Sequence, residues 1–282
     1  MPPSIIAAVQ HAAQRLSGCH DTARIDAEIL LGFVMHCTRS HLHAWPERLL
    51  DASQEQRYGA LIERRAAGEP LAYLTGQREF WSMTLEVTRD TLVPRPETEL
   101  LVELALQHIP TGSTWRIADL GTGSGAIALA IARERPACHV IAIDRCAAAL
   151  AVARRNAATH SITNIEFRAG DWLTPLNSET QHVIISNPPY VSTLDPRLIQ
   201  TDIRFEPLGA LASGSDGLDD IRRITEAARH YLIAGGRLLL EHGYDQGAAV
   251  MQILRNHGYY DVSNTQDLAG LDRVTSGRWM SP

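Results

Sequence analysis

Between residues 115 and 126 the chain passes from an apolar run, Trp115–Leu120, through a loop with glycine at every second position, into an alanine-rich segment from Ala126. Glycine lets a chain turn tightly and brings its backbone close to a ligand with no Cβ in the way. A strand, a glycine turn and a helix in that order form the opening unit of a doubly wound α/β fold. The rest of the chain repeats the alternation. Strands are predicted at His139–Asp144, Ile165–Ala169, Gln181–Ser186 and Gly236–Leu240, with further candidates at Tyr259–Val262 and Arg273–Trp279. Helices are predicted near 126–135, 147–159, 217–231 and 244–256. This pattern predicts a mostly parallel sheet covered on both faces.

The first 75 residues carry helical periodicity instead. Ile5, Val9, Ala12 and Leu16 recur at helical spacing, as do Ile29, Leu30, Phe33 and Val34. Ser53 with Gln56 reads as a capping box ahead of Tyr58, Leu61 and Ile62. Residues 80–83 and 85–87 read as a short hairpin, with Leu92–Val93 behind it. Pro94 and Pro96 then lead into a helix from about Glu97 to His108, Pro96 fitting its first turn. The expected organisation is a helical substrate-recognition domain over 1–75, a hairpin linker over 76–93 and the α/β domain over 94–282.

Composition narrows the chemistry. All 26 basic residues other than histidine are arginine. Without lysine the chain can form neither a Schiff base nor a Walker P-loop. Cys19, Cys37, Cys138 and Cys146 contain no C-x-x-C pair, which fits reduced thiols and predicts neither disulfides nor a metal site. Apolar runs such as Ala126–Ala132 fall far short of the roughly 20 residues that span a bilayer. The Met-Pro-Pro-Ser start shows no signal-peptide pattern, so no membrane and a cytoplasmic location are the expectations. The net charge of −6 argues against broad electrostatic binding to nucleic acid.

The loop Asp119-Leu120-Gly121-Thr122-Gly123-Ser124-Gly125 and Asp144 together predict a nucleoside site. Asp144, at the end of the second strand of the sheet, suits the two hydroxyls of a ribose. That fits an adenosine cofactor or NAD equally. Asp119 is more telling: a carboxylate beside the crevice opposes a pyrophosphate and tolerates the ammonium of a sulfonium amino acid. Its alternative role is to brace the turn. Asp171 is placed to accept from an adenine amino group and Trp172 to contact the ring, or to pack in the core.

Asn187-Pro188-Pro189-Tyr190 follows an apolar strand, at the sheet edge where open α/β folds bind ligands. The prolines have no N–H, so the turn presents carbonyls. The Asn187 side-chain carbonyl and the Pro188 backbone carbonyl can each accept from one N–H of a planar NH2 group, with the Tyr190 ring beside it. An amide nitrogen is a poor nucleophile because its lone pair is delocalised. Two acceptors orient it and stabilise the positive character it gains in attacking a methyl group. Methylation of an exocyclic base nitrogen needs the same geometry, and an NAD-dependent oxidoreductase would share the glycine loop without this tetrapeptide.

Beyond these two motifs, Glu69–Gly76, Leu92–Glu99, Arg204–Pro207 and Leu239–Gly243 occur in an order that resembles the protein-(glutamine-N5) methyltransferases acting on peptide-chain release factors. The resemblance implies a Rossmann-like seven-stranded S-adenosylmethionine-dependent domain with an antiparallel last strand, behind a small N-terminal helical domain. It implies methyl transfer from S-adenosyl-L-methionine, giving S-adenosyl-L-homocysteine, to the glutamine of a Gly-Gly-Gln motif. Release factors are then the partners, and no direct nucleic-acid substrate is expected. Asn187, Pro188 and Tyr190 would be catalytic, with Pro189 and Glu206 also on the substrate side. The cofactor side comprises Asp119, Gly121, Thr122, Gly123, Gly125, Asp144, Asp171, Trp172 and Asn187. Glu206 can equally form a buried salt bridge, and His242, beyond a strand with no metal partner, is expected to be structural.

Overall fold

The computed structural model describes residues 2–18, 22–199 and 202–280, so Cys19 lies outside the described residues. Two compact units divide the chain: Met1–Gln77 with Ile199–Phe205, and Arg78–Leu198 with Glu206–Pro282. The hairpin residues from Arg78 onward thus group with the sheet.

In the first unit the helices are α1 (Ile5–Leu16), α2 (Ala23–Met35), α3 (Arg39–Ala44), α4 (Ala52–Ala66) and α5 (Leu71–Thr75). The α1 stripe of Ile5, Val9, Ala12 and Leu16 is buried as its spacing predicts. On α2 the buried face is Ala27, Leu30, Leu31 and Val34, whereas Phe33 is 37% exposed and Ile29 half-buried. The C-terminal half of α2, Ile29–Met35, is apolar almost all round, so periodicity left two faces to choose between, and packing on α1 and α4 selected the other. The capping box also falls two residues earlier than predicted. Asp51 accepts from the Gln54 N–H at 2.8 Å, and the Gln54 side chain accepts from the Asp51 N–H at 3.0 Å. Leu50, buried just ahead of this cap, fixes where the helix begins.

The second unit opens with strands β1 (Gln77–Phe80) and β2 (Met83–Glu86), paired as a two-stranded sheet. Trp81 and Ser82 both have positive φ, 50° and 54°, the conformation a two-residue hairpin of primed type requires. Seven strands follow: β3 (Arg116–Leu120), β4 (His139–Asp144), β5 (Ile165–Ala169), β6 (Gln181–Ser186), β7 (Leu232–Glu241), β8 (Tyr260–Gln266) and β9 (Asp272–Arg278). They form one sheet in the order β5-β4-β3-β6-β7-β9-β8. β3 to β7 are mutually parallel, and the last strand, β9, runs antiparallel to both its neighbours. This is the Rossmann-like seven-stranded methyltransferase architecture the resemblance implied.

Helices α6 (Thr98–His108), α7 (Ala126–Glu134), α8 (Ala147–Thr159), α9 (Asp219–Ala228) and α10 (Gly247–Asn256) complete the unit. Alternation along β3 sends Ile117 into one core, with α6 and α7, and Ala118 and Leu120 into the other, with α9 and α10. Chain order reverses on either side of β3, between β4 and β6. Ligands of open α/β sheets bind outside the carboxyl ends of strands at such a switch point. Here those ends are Leu120, Asp144, Ala169 and Ser186.

Candidate functional site

A cavity opens at this switch point, with Gly121, Gly123, Asp144, Asp171, Trp172, Asn187 and Pro189 in its wall. Residues brought together from four strand ends therefore share one space. Gly121 and Gly123 have φ of +74° and +56°. A Cβ on Gly121 would stand 3.3 Å from Trp172 Cζ3, so glycine keeps the gap between loop and indole open. The Gly121 and Thr122 N–H groups both donate to the Ile143 carbonyl, tying the loop to β4. Asp144 accepts from the Gly123 N–H at one oxygen and the Cys146 N–H at the other, both at 2.8 Å. Each oxygen keeps a lone pair for a ligand hydroxyl.

Three residues of the loop sit elsewhere. Asp119 is wholly buried, accepts from the Thr122 hydroxyl at 2.7 Å, and does not line the cavity. Burial pushes its pKa up to about 7 against the opposing Thr122 hydrogen bond. Its Oδ2 braces the turn, the alternative role the sequence left open, while its Oδ1 is buried with no hydrogen-bond partner among the described residues. Thr122 is buried with it. Gly125, φ +87°, caps α7, and a Cβ there would meet Ala153 Cβ and Leu129 Cδ1 at 3.1 Å. Its missing side chain thus serves close packing of α7 on α8.

Trp172 has an unusual φ of 47°, and its indole N–H donates to Asp220 Oδ1 at 3.2 Å. Asp220 Oδ2 in turn accepts from the Ser213 hydroxyl at 2.8 Å. Asp171 pairs through Oδ2 with Arg223 at 2.6 Å, and no side-chain partner is seen for its Oδ1 among the described residues. The N-terminal half of α9 therefore holds both residues, Asp220 the indole and Arg223 the carboxylate. Nothing local in the sequence marks Ser213, Asp220 or Arg223 for this role.

At the end of β6, Asn187 Nδ2 donates to Thr98 Oγ1 at 3.2 Å. That commitment leaves Asn187 Oδ1 without a partner among the described residues. Pro188 and Pro189 are buried. Tyr190 is held by its hydroxyl, which donates to Glu241 Oε1 at 3.3 Å, and by its carbonyl, which accepts from Gln246 Nε2 at 3.0 Å. Burial, then the Glu241 charge, push the phenol well above its usual range, so it is a neutral donor.

Glu206 takes the buried salt-bridge role that the sequence left open beside a substrate contact. One oxygen accepts from the Val93 N–H at 3.1 Å and the other pairs with Arg95. Both are spent on the Val93–Arg95 approach to α6. His242 is buried, its Nδ1–H donating to the Gly243 carbonyl at 2.9 Å and its Nε2 lying 2.8 Å from the Thr275 hydroxyl. Burial lowers its pKa and keeps it neutral. Among the described residues no group of three or more His, Cys, Asp or Glu could hold a metal, and no helix is long and apolar enough to cross a membrane.

The comparisons with known proteins converge. Residues 7–76 match the family described as PrmC N-terminal domain, and residues 97–204 that described as Methyltransferase small domain. Release factor glutamine methyltransferase of Coxiella burnetii is 47% identical over 275 residues, covering 98% of this chain and 99% of the relative. That of Escherichia coli K12 is 49% identical over 259 residues, covering 92% and 93%. Among solved structures, a methyltransferase from Pyrococcus furiosus superposes with a TM-score of 0.54 at 18% identity, over 79% of this chain and 98% of its own, which is a likeness of fold.

Proposed function

The chain belongs to the release factor glutamine methyltransferase family, and on that premise we propose that Asn187, Pro188 and Tyr190 hold the acceptor amide at the glycine-loop cavity. The enzyme methylates the side-chain N5 of glutamine in release factors. S-adenosyl-L-methionine supplies an electrophilic methyl group and leaves as S-adenosyl-L-homocysteine. We place the glutamine in the Gly-Gly-Gln motif, assign recognition of the release factor to the helical unit, and take the cytoplasm as the site of action.

The cavity fits the cofactor in its donor set. Gly121 leaves open the space beside Trp172 that a Cβ would fill, which suits a flat ring against the indole. Asp144 offers its remaining lone pairs to ribose hydroxyls, and Asp171 its Oδ1 to an amino group.

One observation supports the reading of the acceptor side above the rest. Thr98 takes the Asn187 NH2, so the Asn187 carbonyl is the group free to meet a substrate. A carbonyl aimed at the site attracts an NH2 group, and the Pro188 carbonyl supplies the second acceptor. Together they turn the amide nitrogen toward the methyl donor and stabilise the positive charge that develops on it. Preorganised acceptors of this kind are worth about a hundredfold or more in rate when one is removed. The test offers purified release factor, DNA and RNA to the enzyme with labelled cofactor, followed by mass mapping. Label on the Gly-Gly-Gln glutamine is expected; label on a nucleobase or another residue overturns the assignment.

A further inference from the structure

Pro188 and Pro189 leave the acceptor turn with only two backbone N–H groups, those of Asn187 and Tyr190. A turn so short of donors has to be held by donors from elsewhere, and its carbonyls are the handles. The Pro188 carbonyl is the one offered to the substrate. The Tyr190 carbonyl, two residues on, is held by the protein and accepts from Gln246 Nε2 at 3.0 Å.

Gln246 stands at the N-cap of α10, a position where Ser, Thr, Asp or Asn would bond the free N–H groups of the helix. It makes no cap bond, and its amide is spent away from the helix instead. Oε1 accepts from the Gly243 N–H at 2.8 Å. Nε2 donates to the carbonyls of Tyr190 at 3.0 Å and Asp216 at 3.2 Å. An N–H on one side and two carbonyls on the other allow the amide one orientation only, and the three groups belong to three different loops. Gly217, φ +77°, permits the convergence: a Cβ there would collide with the Tyr190 carbonyl oxygen and stand 2.7 Å from Gln246 Nε2. Past the turn, the Val191 N–H donates to the Leu211 carbonyl at 2.8 Å and the Ser213 N–H to the Val191 carbonyl at 2.9 Å. Gln246 itself is not in the wall of the cofactor cavity.

We infer that Gln246 is a positioning residue for methyl transfer, whose amide NH2 fixes the Tyr190 carbonyl and with it the acceptor turn. Thr98 holds the turn at Asn187 Nδ2 and Gln246 holds it at Tyr190, so the Pro188 carbonyl lies between two fixed points. Tyr190 is likewise fixed at both ends, its carbonyl by Gln246 and its hydroxyl by Glu241 Oε1 at 3.3 Å. Released at the Gln246 end, the turn can swing about Asn187. The displacement falls on the Pro188 carbonyl and the Tyr190 ring, which orient the acceptor amide. A misplacement of about 1 Å can cost on the order of a hundredfold in rate. Gly121, Asp144 and Trp172 stay in place for the cofactor.

This inference rests on the proposed role of the Asn187–Tyr190 turn, and the experiment separates the two. Gln246→Met keeps the length, stays neutral and has no donor. Gln246→Glu keeps the shape and an acceptor for Gly243, but sets a carboxylate against two carbonyls. Single-turnover methyl transfer is measured for both beside the wild type and Asn187→Ala, over a range of release-factor concentrations. Cofactor Kd by calorimetry and melting temperature are read alongside. Asn264→Ala is the structural control: it removes a partner of His242 at 3.1 Å, behind the same loop, without touching Tyr190. Gln246→Met is expected to lower the maximal rate about tenfold and Gln246→Glu further, with cofactor Kd within about threefold of wild type. Asn264→Ala is expected to lower the melting temperature and keep the rate within about threefold. A folded Gln246→Met or Gln246→Glu enzyme as fast as wild type, while Asn187→Ala is slow, overturns the inference and leaves the acceptor turn in place. A loss that Asn264→Ala reproduces at the same melting temperature also overturns it, because stability alone would then account for the effect. So does a cofactor Kd that rises in step with the loss of rate. If Asn187→Ala is itself as fast as wild type, the underlying reading falls first.

Discussion

At the residue scale the site is built from side chains whose second hydrogen bond decides the use of the first. Asn187 has an amide to spend, and Thr98 takes its NH2. Asn187→Ala should therefore slow single turnover about a hundredfold or more while cofactor Kd moves only a few-fold. Rapid-quench kinetics beside calorimetric titration checks this, and unchanged turnover would remove Asn187 from the chemistry. The Asn187–Tyr190 tetrapeptide was legible because its chemistry is contiguous in sequence. Asp119 and Glu206 each left a ligand contact and a structural role open, because sequence shows a charge but not where its lone pairs go. The Val93 N–H and Arg95 take both Glu206 oxygens, whereas Thr122 takes only Oδ2 of Asp119, and Oδ1 is buried with no hydrogen-bond partner among the described residues.

At the scale of elements, the periodic patterns were read correctly where one face of an element was distinctly apolar. α1 has such a face; the C-terminal half of α2, apolar nearly all round, did not. The α4 cap was ambiguous because Asp51…Gln54 and Ser53…Gln56 both satisfy the same spacing, and the burial of Leu50 settles the start. Asp51→Ala should destabilise the helical unit by about 1 kcal/mol, read by urea denaturation, while Ser53→Ala should change little. The reverse ranking would restore the later cap. α9 makes the stronger functional case. Its first turn reaches back through Asp220 to the Trp172 indole, a link formed across 48 residues of sequence and invisible to any local pattern. Asp220→Ala should weaken cofactor binding about three- to tenfold through loss of one charge-assisted hydrogen bond, with turnover at saturating cofactor retained. Loss confined to turnover would show that the helix acts on something other than the indole.

At the scale of the whole molecule, the sheet unit holds two sets of ionisable groups whose titrations pull stability in opposite directions. Asp119 and Glu241 both have folded-state pKa values raised to about 7 from ordinary carboxyl values. Between about pH 4 and 7 the folded chain holds protons that the unfolded chain has released. Each such group contributes stability at low pH that is lost as pH rises toward 7, at up to about 1.4 kcal/mol per pH unit. His108, His182 and His242 are shifted the other way, chiefly by burial. Around pH 6.5 and below, the unfolded chain binds protons these histidines refuse in the fold, so their contribution rises with pH and levels off above 6.5. The two sets therefore oppose each other through the acid range. Asp119→Asn has no proton to lose, so between pH 5 and 7.5 its stability should fall less with rising pH, or rise more, than that of wild type, whatever its absolute stability. Urea denaturation at half-unit steps from pH 5 to 8 reads both slopes, and parallel curves would show that Asp119 is not a proton-holding group of the folded chain.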